Sequence, residues 1–360
     1  MAGLPARFFA RHTIRIHFND GATHMFRQAC LVSSVCACVL ASLGQVEAAE
    51  GPLRERLKAQ RGQQAAAVIN GETAQPITRP GDYRFSISHD GLTRRYRVHV
   101  PASYKADTPT ALLFALHGGG GNMDHMADNA NYGQIDSSER HGHIVVFPNG
   151  SSRLDNGKLA TWNAGNCCGR ARDGKVDDIG FIRQVLSNLK AQMNIDASSV
   201  YATGMSNGGL MSYRLACEMS DVFAAIAPVA GTDNTIDCTP DRPVSVLHIH
   251  ARNDERVLFE GGAGAQGALL SQVTNFASVP ATIEKWRKRN GCPAMPQRVL
   301  DKANAYCERY APCREGSEVQ LCVTASGGHS WPGGSKARAR EAPSQAISAN
   351  EMMWAFFKRH

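Results

Sequence analysis

Apolar and polar positions alternate from Arg94 to Val100, the period-two pattern of a half-buried strand, and Ala111 to Leu116 follows as an unbroken apolar run that predicts a strand covered on both faces. Further short apolar runs predict strands at Ile144 to Phe147, Val200 to Thr203, Ala224 to Val229, Val244 to Ile249 and Val319 to Thr324. Between them the apolar spacing becomes helical at Asp178 to Met193, Gly208 to Glu218, Thr282 to Arg289 and about Ala349 to Lys358. The last helix opens on a capping box, Ser348 with Glu351, and carries an apolar side of Met352, Met353, Phe356 and Phe357. Strands alternating with helices predict an α/β fold with a mostly parallel central sheet and helices on both faces.

The sheet-forming pattern begins at Tyr83 and runs to the C-terminus, so residues 83–360 are expected to form one catalytic-size domain. Residues 50–82 are polar, with a helical stretch expected at Arg54 to Gln64, and read as a lead-in. Residues 1–49 read as a signal peptide. Ala29 to Leu43 is an apolar run of about fifteen residues, short for a bilayer span, and the small residues Val46, Ala48 and Ala49 offer a cleavage site. Met25-Phe26-Arg27 would make a short basic start, so Met25 is a candidate initiator. An uncleaved membrane anchor is the competing reading, weakened by Ser33, Ser34 and three cysteines in the run.

At 43% hydrophobic and 20% charged residues, the chain has the composition of a well-packed globular protein. Loss of residues 1–49 removes four basic and two acidic residues and takes the net charge from +7 to +5. The remaining cations are dispersed, without interleaved aromatic residues, and imply no nucleic-acid partner. Of eleven cysteines, eight lie beyond the leader: Cys167, Cys168, Cys217, Cys238, Cys292, Cys307, Cys313 and Cys322. The even count suits disulfides in an exported protein, and the last four are spaced for two local bridges, although sequence does not select a pairing. A zinc site lacks the paired Cys-x-x-Cys spacing it would need, so no metal is expected.

The chemistry concentrates in a few Gly-rich segments. Gly204 to Gly209, GMSNGG, directly follows a predicted strand and opens a predicted helix, which puts Ser206 at a tight strand-to-helix corner with the Gly-x-Ser-x-Gly spacing of a nucleophile elbow. LHGGGGN, Leu116 to Asn122, follows the first buried strand, and its glycines free backbone amides; Asn207 with Gly119 or Gly120 are the candidate oxyanion donors. Neither a P-loop Lys-Ser/Thr nor the Rossmann glycine spacing is present. In the chain order nucleophile, acid, histidine, SGGHSWPGG supplies His329 after the last strand and HARNDERV supplies Asp254, with Glu255 beside it. Asp177 and Asp178 instead suit a helix start. The loop ATWNAGNCCG could line a pocket, so Trp162 and Asn163, together with Trp331 beside His329, are taken as candidate substrate contacts, with a buried packing role the equal alternative for Trp162.

Taken together, HGGGGN, WNAGNCCG, GMSNGG, HARNDERV and GGHSWPGG resemble, in this order, the polyhydroxybutyrate depolymerase-like esterases of the α/β-hydrolase fold, a group similar to feruloyl and acetylxylan esterases. The resemblance covers Tyr83 to the C-terminus and carries the catalytic serine, acid and histidine onto Ser206, Asp254 and His329. It implies secretion, no cofactor, and ester hydrolysis through an acyl-enzyme acting on poly(3-hydroxybutyrate) or its oligomers. Many polymer-degrading relatives carry a linker and a polymer-binding domain, for which this chain leaves no residues. Soluble oligomers, small esters or plant cell-wall esters are therefore competing substrates, and a serine peptidase or a non-catalytic secreted binding protein are the competing classes.

Overall fold

The computed structural model describes residues 75–264, 275–335 and 341–360. The expected signal peptide, its cleavage site, most of the lead-in and the Arg54 to Gln64 helix lie outside these residues.

Ten strands form one sheet among the described residues: β1 (Gly81–His89), β2 (Leu92–Val100), β3 (Thr110–Leu116), β4 (Ile144–Pro148), β5 (Ile195–Met205), β6 (Ala225–Val229), β7 (Ser245–Ala251), β8 (Gln297–Lys302), β9 (Ala305–Tyr310) and β10 (Val319–Thr324). Their order across the sheet is β1-β2-β4-β3-β5-β6-β7-β10-β9-β8. The centre from β4 to β10 is parallel, and an antiparallel pair closes each edge. Seven α-helices accompany it among the described residues: α1 (Met123–Ala127), α2 (Gln134–His141), α3 (Gly169–Asp173), α4 (Asp178–Gln192), α5 (Asn207–Glu218), α6 (Val279–Arg289) and α7 (Ala349–Phe357).

The parallel strands read as continuous apolar runs because both their faces are covered. Leu112, Phe114 and Leu116 of β3 point into a layer with Phe181, Ile182 and Val185 of α4, Leu210 and Met211 of α5 and Trp286 of α6. Leu113 and Ala115, one residue out of phase, join Met126 of α1 and Met353, Phe356 and Phe357 of α7 on the other face. Ser348 caps α7, its Oγ accepting from the Glu351 amide, but the capping box is only half formed because the Glu351 carboxylate turns to Arg140 and His141. Asp177 caps α4 by accepting from Gly180 N at 2.8 Å.

All eight cysteines beyond residue 50 are bonded to one another, as Cys167–Cys168, Cys217–Cys238, Cys292–Cys313 and Cys307–Cys322. The last two are the local bridges that their spacing suggests. Cys307–Cys322 staples β9 to β10, where the two residues are direct cross-strand partners.

The chain reverses its direction of travel across the sheet at β3, with β4 on one side and β5 on the other. Loops leaving the carboxyl ends of β3 and β5 therefore diverge and open a crevice, the place where open parallel sheets hold ligands. Leu116 and Gly204 are in register there, so the Gly-rich segment after β3 and the Ser206 turn after β5 start level with each other.

Candidate active site

Ser206 is the hinge between β5 and α5, with φ 57° and ψ −120°. That left-handed conformation costs a non-glycine residue on the order of 1–3 kcal/mol, so surrounding structure must impose it. The turn is held by Ser206 N donating to Val229 O at 2.9 Å and by Ser206 O accepting from Leu210 N at 2.9 Å. Its glycines are required by space: a Cβ on Gly204 would overlap the backbone of Gly208, and one on Gly208 would overlap the carbonyl of Leu116. The helix thereby starts against the end of β3, and Ser206 stays half-buried at its mouth.

Asp254 and His329 come from loops after β7 and β10, which are adjacent parallel strands, so their carboxyl ends leave the sheet side by side. His329 Nδ1 lies 2.8 Å from Asp254 Oδ2, and both side chains are buried. The carboxylate is fixed by its other oxygen, where Oδ1 accepts from Arg256 N at 2.8 Å and Val257 N at 3.0 Å. The histidine loop is fixed by Gly328 N donating to Asn253 Oδ1 at 3.0 Å and Ser330 Oγ donating to Gly327 O at 2.6 Å. A carboxylate can only accept, so Nδ1 carries the proton and Nε2 keeps its lone pair. No hydrogen bond engages Nε2 among the described residues.

Burial would raise the Asp254 pKa, but hydrogen bonds from His250 and His329 outweigh it and hold the carboxyl far below the usual range. Burial pushes His329 below the ordinary histidine value of 6.5, with Asp254 pulling the other way. The pair therefore rests as carboxylate and neutral imidazole at neutral pH, the state in which a histidine can take up a proton.

Beside Ser206, Asn207 uses its side chain as a two-way clasp. Its Oδ1 accepts from Trp162 N at 2.8 Å and its Nδ2 donates to Trp162 O at 3.1 Å. Gly119 faces this clasp closely enough that an added Cβ would sit 3.6 Å from Asn207 Cβ. The amide of Gly120 points elsewhere and donates to Ala160 O at 2.8 Å. Of the two glycines expected to offer an oxyanion donor, Gly120 is thus engaged in the loop itself. The Gly-rich segment is braced by a residue that the sequence analysis passed over, His117. It lies 2.9 Å from Gly118 O through Nδ1 and accepts from Gly150 N at 2.9 Å through Nε2. Only its position immediately before four glycines signalled a role.

The expected substrate contacts need correction. The indole of Trp162 is fully buried, donates to His117 O at 2.9 Å and lies 5.0 Å from the His117 ring, so it is a strut between the two loops rather than a pocket wall. Trp331 is buried against Tyr132, and its Nε1 donates to Asn350 Oδ1 at 3.2 Å. Three polar groups of Asn163 are engaged. Its amide donates to Asp178 Oδ2 at 2.7 Å, its Nδ2 to Val176 O at 3.1 Å, and its carbonyl accepts from Arg214 at 2.6 Å. Asp178 is in turn paired with Arg94 at 2.6 Å, both buried, and its burial raises its pKa against the pull of Arg94. Trp162 and Asn163 thus brace their loop, and the indole N–H groups of Trp162 and Trp331 are both taken up inside the protein. Sequence leaves a pocket wall and a packing indole equally open at Trp162, because its partners sit 45 residues away.

The family model described as Esterase PHB depolymerase matches residues 95–283, more than half of the chain. Feruloyl esterase B of Piromyces equi is 30% identical over 247 residues, which is 66% of this chain and 42% of that protein. A bifunctional acetylxylan esterase/xylanase of Neocallimastix patriciarum is 25% identical over 247 residues, 67% of this chain and 31% of that protein. The chain therefore spans less than half the length of these two relatives. Among solved structures, an acetyl xylan esterase from Aspergillus awamori is similar in fold, with a TM-score of 0.50 at 14% identity over 74% of this chain and 94% of that one. The fold is that of an α/β-hydrolase, and the chain belongs to the Esterase PHB depolymerase family.

Proposed function

We propose that the protein is a serine esterase that hydrolyses carboxylic esters through an acyl-enzyme. The observation that carries the reading is the Asp254–His329 hydrogen bond of 2.8 Å, on loops that leave the same carboxyl end of the parallel strands as the strained Ser206 turn. Ser206 Oγ attacks the ester carbonyl carbon while His329 Nε2 takes the hydroxyl proton. Asp254 keeps Nδ1 protonated, orients the ring and stabilises the imidazolium without taking its proton. The developing oxyanion is met by the amides of Asn207 and Gly119. The C–O bond then breaks, His329 returns the proton to the leaving alcohol, and water repeats the sequence on the acyl-enzyme to release the acid. Each oxyanion donor contributes on the order of 3 kcal/mol.

The test is hydrolysis of a short-chain nitrophenyl ester by the protein and by Ser206→Ala. The reading expects turnover in the first and only background in the second; equal rates in both would overturn it.

For the natural ester we infer oligomers of 3-hydroxybutyrate, in keeping with the family's description. Relatives named as feruloyl and acetylxylan esterases favour a second reading, cell-wall esters. A panel of 3-hydroxybutyrate oligomers, feruloyl esters and acetylated xylan separates the two by kcat/KM. Four disulfides suit an oxidising compartment, which supports export.

A further inference from the structure

Behind Asp254 lies a column of buried polar groups that the proposed reaction does not use. His248 and His250 are two apart on β7, hence on one face of it, and Tyr213 reaches them from α5. Tyr213 Oη is 2.7 Å from His248 Nδ1, and His248 Nε2 is 3.0 Å from His250 Nδ1. His250 Nε2 is 2.8 Å from the carbonyl oxygen of Val257 and 3.4 Å from Asp254 Oδ2. All three side chains are at most 1% exposed.

The direction of every bond follows from one end. The Val257 carbonyl only accepts, so His250 Nε2 bears hydrogen, and in a neutral ring Nδ1 is then an acceptor. His248 Nε2 must therefore donate to it, which leaves His248 Nδ1 to accept from the Tyr213 hydroxyl. With His248 Nε2 as the donor, a second proton on His250 would set N–H against N–H. Burial agrees, driving His248 well below and Tyr213 well above their ordinary pKa values. Other charged groups nearby are His329 and Arg256 from the loops, and Asp233, which Lys285 neutralises at 2.8 Å. Phe259 closes the remaining side, edge-on to His250.

We propose that Tyr213, His248 and His250 form a one-way hydrogen-bonded column that positions the Asp254–His329 pair, its last N–H donated to Val257 O and standing 3.4 Å from the carboxylate oxygen that accepts from His329. The proposal rests on the reading of Asp254 and His329 as catalytic. His250 is then a positioning residue: by sharing Oδ2 it draws carboxylate charge away from His329 and keeps that imidazole a weaker base. Removal of the His250 donor leaves Oδ2 wholly to His329, so the imidazolium is better stabilised and the acid limb of the pH profile moves upward.

Two measurements test this. Nitrogen-15 correlation NMR of the imidazoles in the intact protein, from pH 5 to 8, is expected to show His248 neutral and Nε2-protonated throughout and His250 protonated at Nε2; a charged or Nδ1-protonated His248 overturns the column. It requires no variant and no turnover. The pH profile of kcat/KM for a nitrophenyl ester then compares the protein with His250→Phe and His250→Gln. His250→Phe is expected to lower kcat roughly tenfold at similar KM and to raise the acid limb by about half a pH unit, with His250→Gln, which keeps a donor, partly restoring both. An unmoved acid limb in a folded His250→Phe reduces the column to packing and refutes the proposal. Failure of the underlying reading appears separately, as full activity in His329→Ala.

Discussion

Replacement of Asp254 by asparagine tests how the proposed triad is wired. The carboxylate is gripped asymmetrically, with two backbone amides on Oδ1 and two imidazoles near Oδ2. An asparagine carbonyl is bound to take the Oδ1 place, since only an acceptor satisfies the Arg256 and Val257 amides. Its NH₂ then faces His329 Nδ1, which must become the acceptor, moving the ring's proton to Nε2. That nitrogen can no longer receive a proton from Ser206, and the negative charge that stabilised the imidazolium is gone. A wrong tautomer in a triad of this kind lowers kcat about 10⁴-fold, or about 5.4 kcal/mol at 1.36 kcal/mol for each factor of ten. The fold should survive because both backbone amides keep their acceptor. Steady-state kinetics on a nitrophenyl ester, with circular dichroism as the folding control, are the assay. A folded Asp254→Asn within tenfold of the parent kcat would refute the reasoning.

Other outcomes follow from charge, burial and covalent links. Because burial lowers the His329 pKa and the neutral ring is the active form, kcat/KM should rise with pH to a half-point below 6.5; a pH–rate profile with its acid half-point above 6.5 would contradict this. His143, fully buried against Trp354, is pushed down to about 3, so it binds a proton in the unfolded chain but not in the native one between its unfolded value of 6.5 and about 3. Its share of stability is present above pH 6.5 and declines as pH falls, by about 1.4 kcal/mol per pH unit. Urea unfolding at pH 7 and pH 5 should show the decline, and His143→Phe should lessen it. The Cys307–Cys322 bridge closes a loop of sequence separation 15, and Cys307→Ser with Cys322→Ser should cost about 3 kcal/mol in the same unfolding assay.

The parts of the fold that sequence reveals are those where burial and period coincide. Strands β3, β4, β6, β7 and β10 are covered on both faces and stand out as apolar runs. The edge strand β8 does not, because five of the six residues of QRVLDK are exposed and no apolar contrast marks it. Helices α1 and α2 are missed for a related reason: MDHMA is barely a turn, and QIDSSERH buries Gln134, Ser137 and Ser138 rather than an apolar stripe.

The candidate site divides in the same way. Ser206, Asp254 and His329 follow from chain order relative to strands, and topology brings their loops to one edge of the sheet. Trp162 and Trp331 suggest substrate contacts by their place in Gly-rich loops, whereas their indole N–H groups meet His117 and Asn350 in the interior. His248 and His250 share a strand face that is visible as LHIH, but the significance of that face depends on Tyr213, 35 residues earlier on another element.

The most direct test of the central claim is to trap the acyl-enzyme. Brief incubation of the protein with a fluorophosphonate or a slowly deacylating ester, followed by peptide mass spectrometry, should give one adduct, on Ser206, that is absent in Ser206→Ala and greatly slowed in His329→Ala. An adduct on another residue, or ester turnover that persists in Ser206→Ala, would contradict the account.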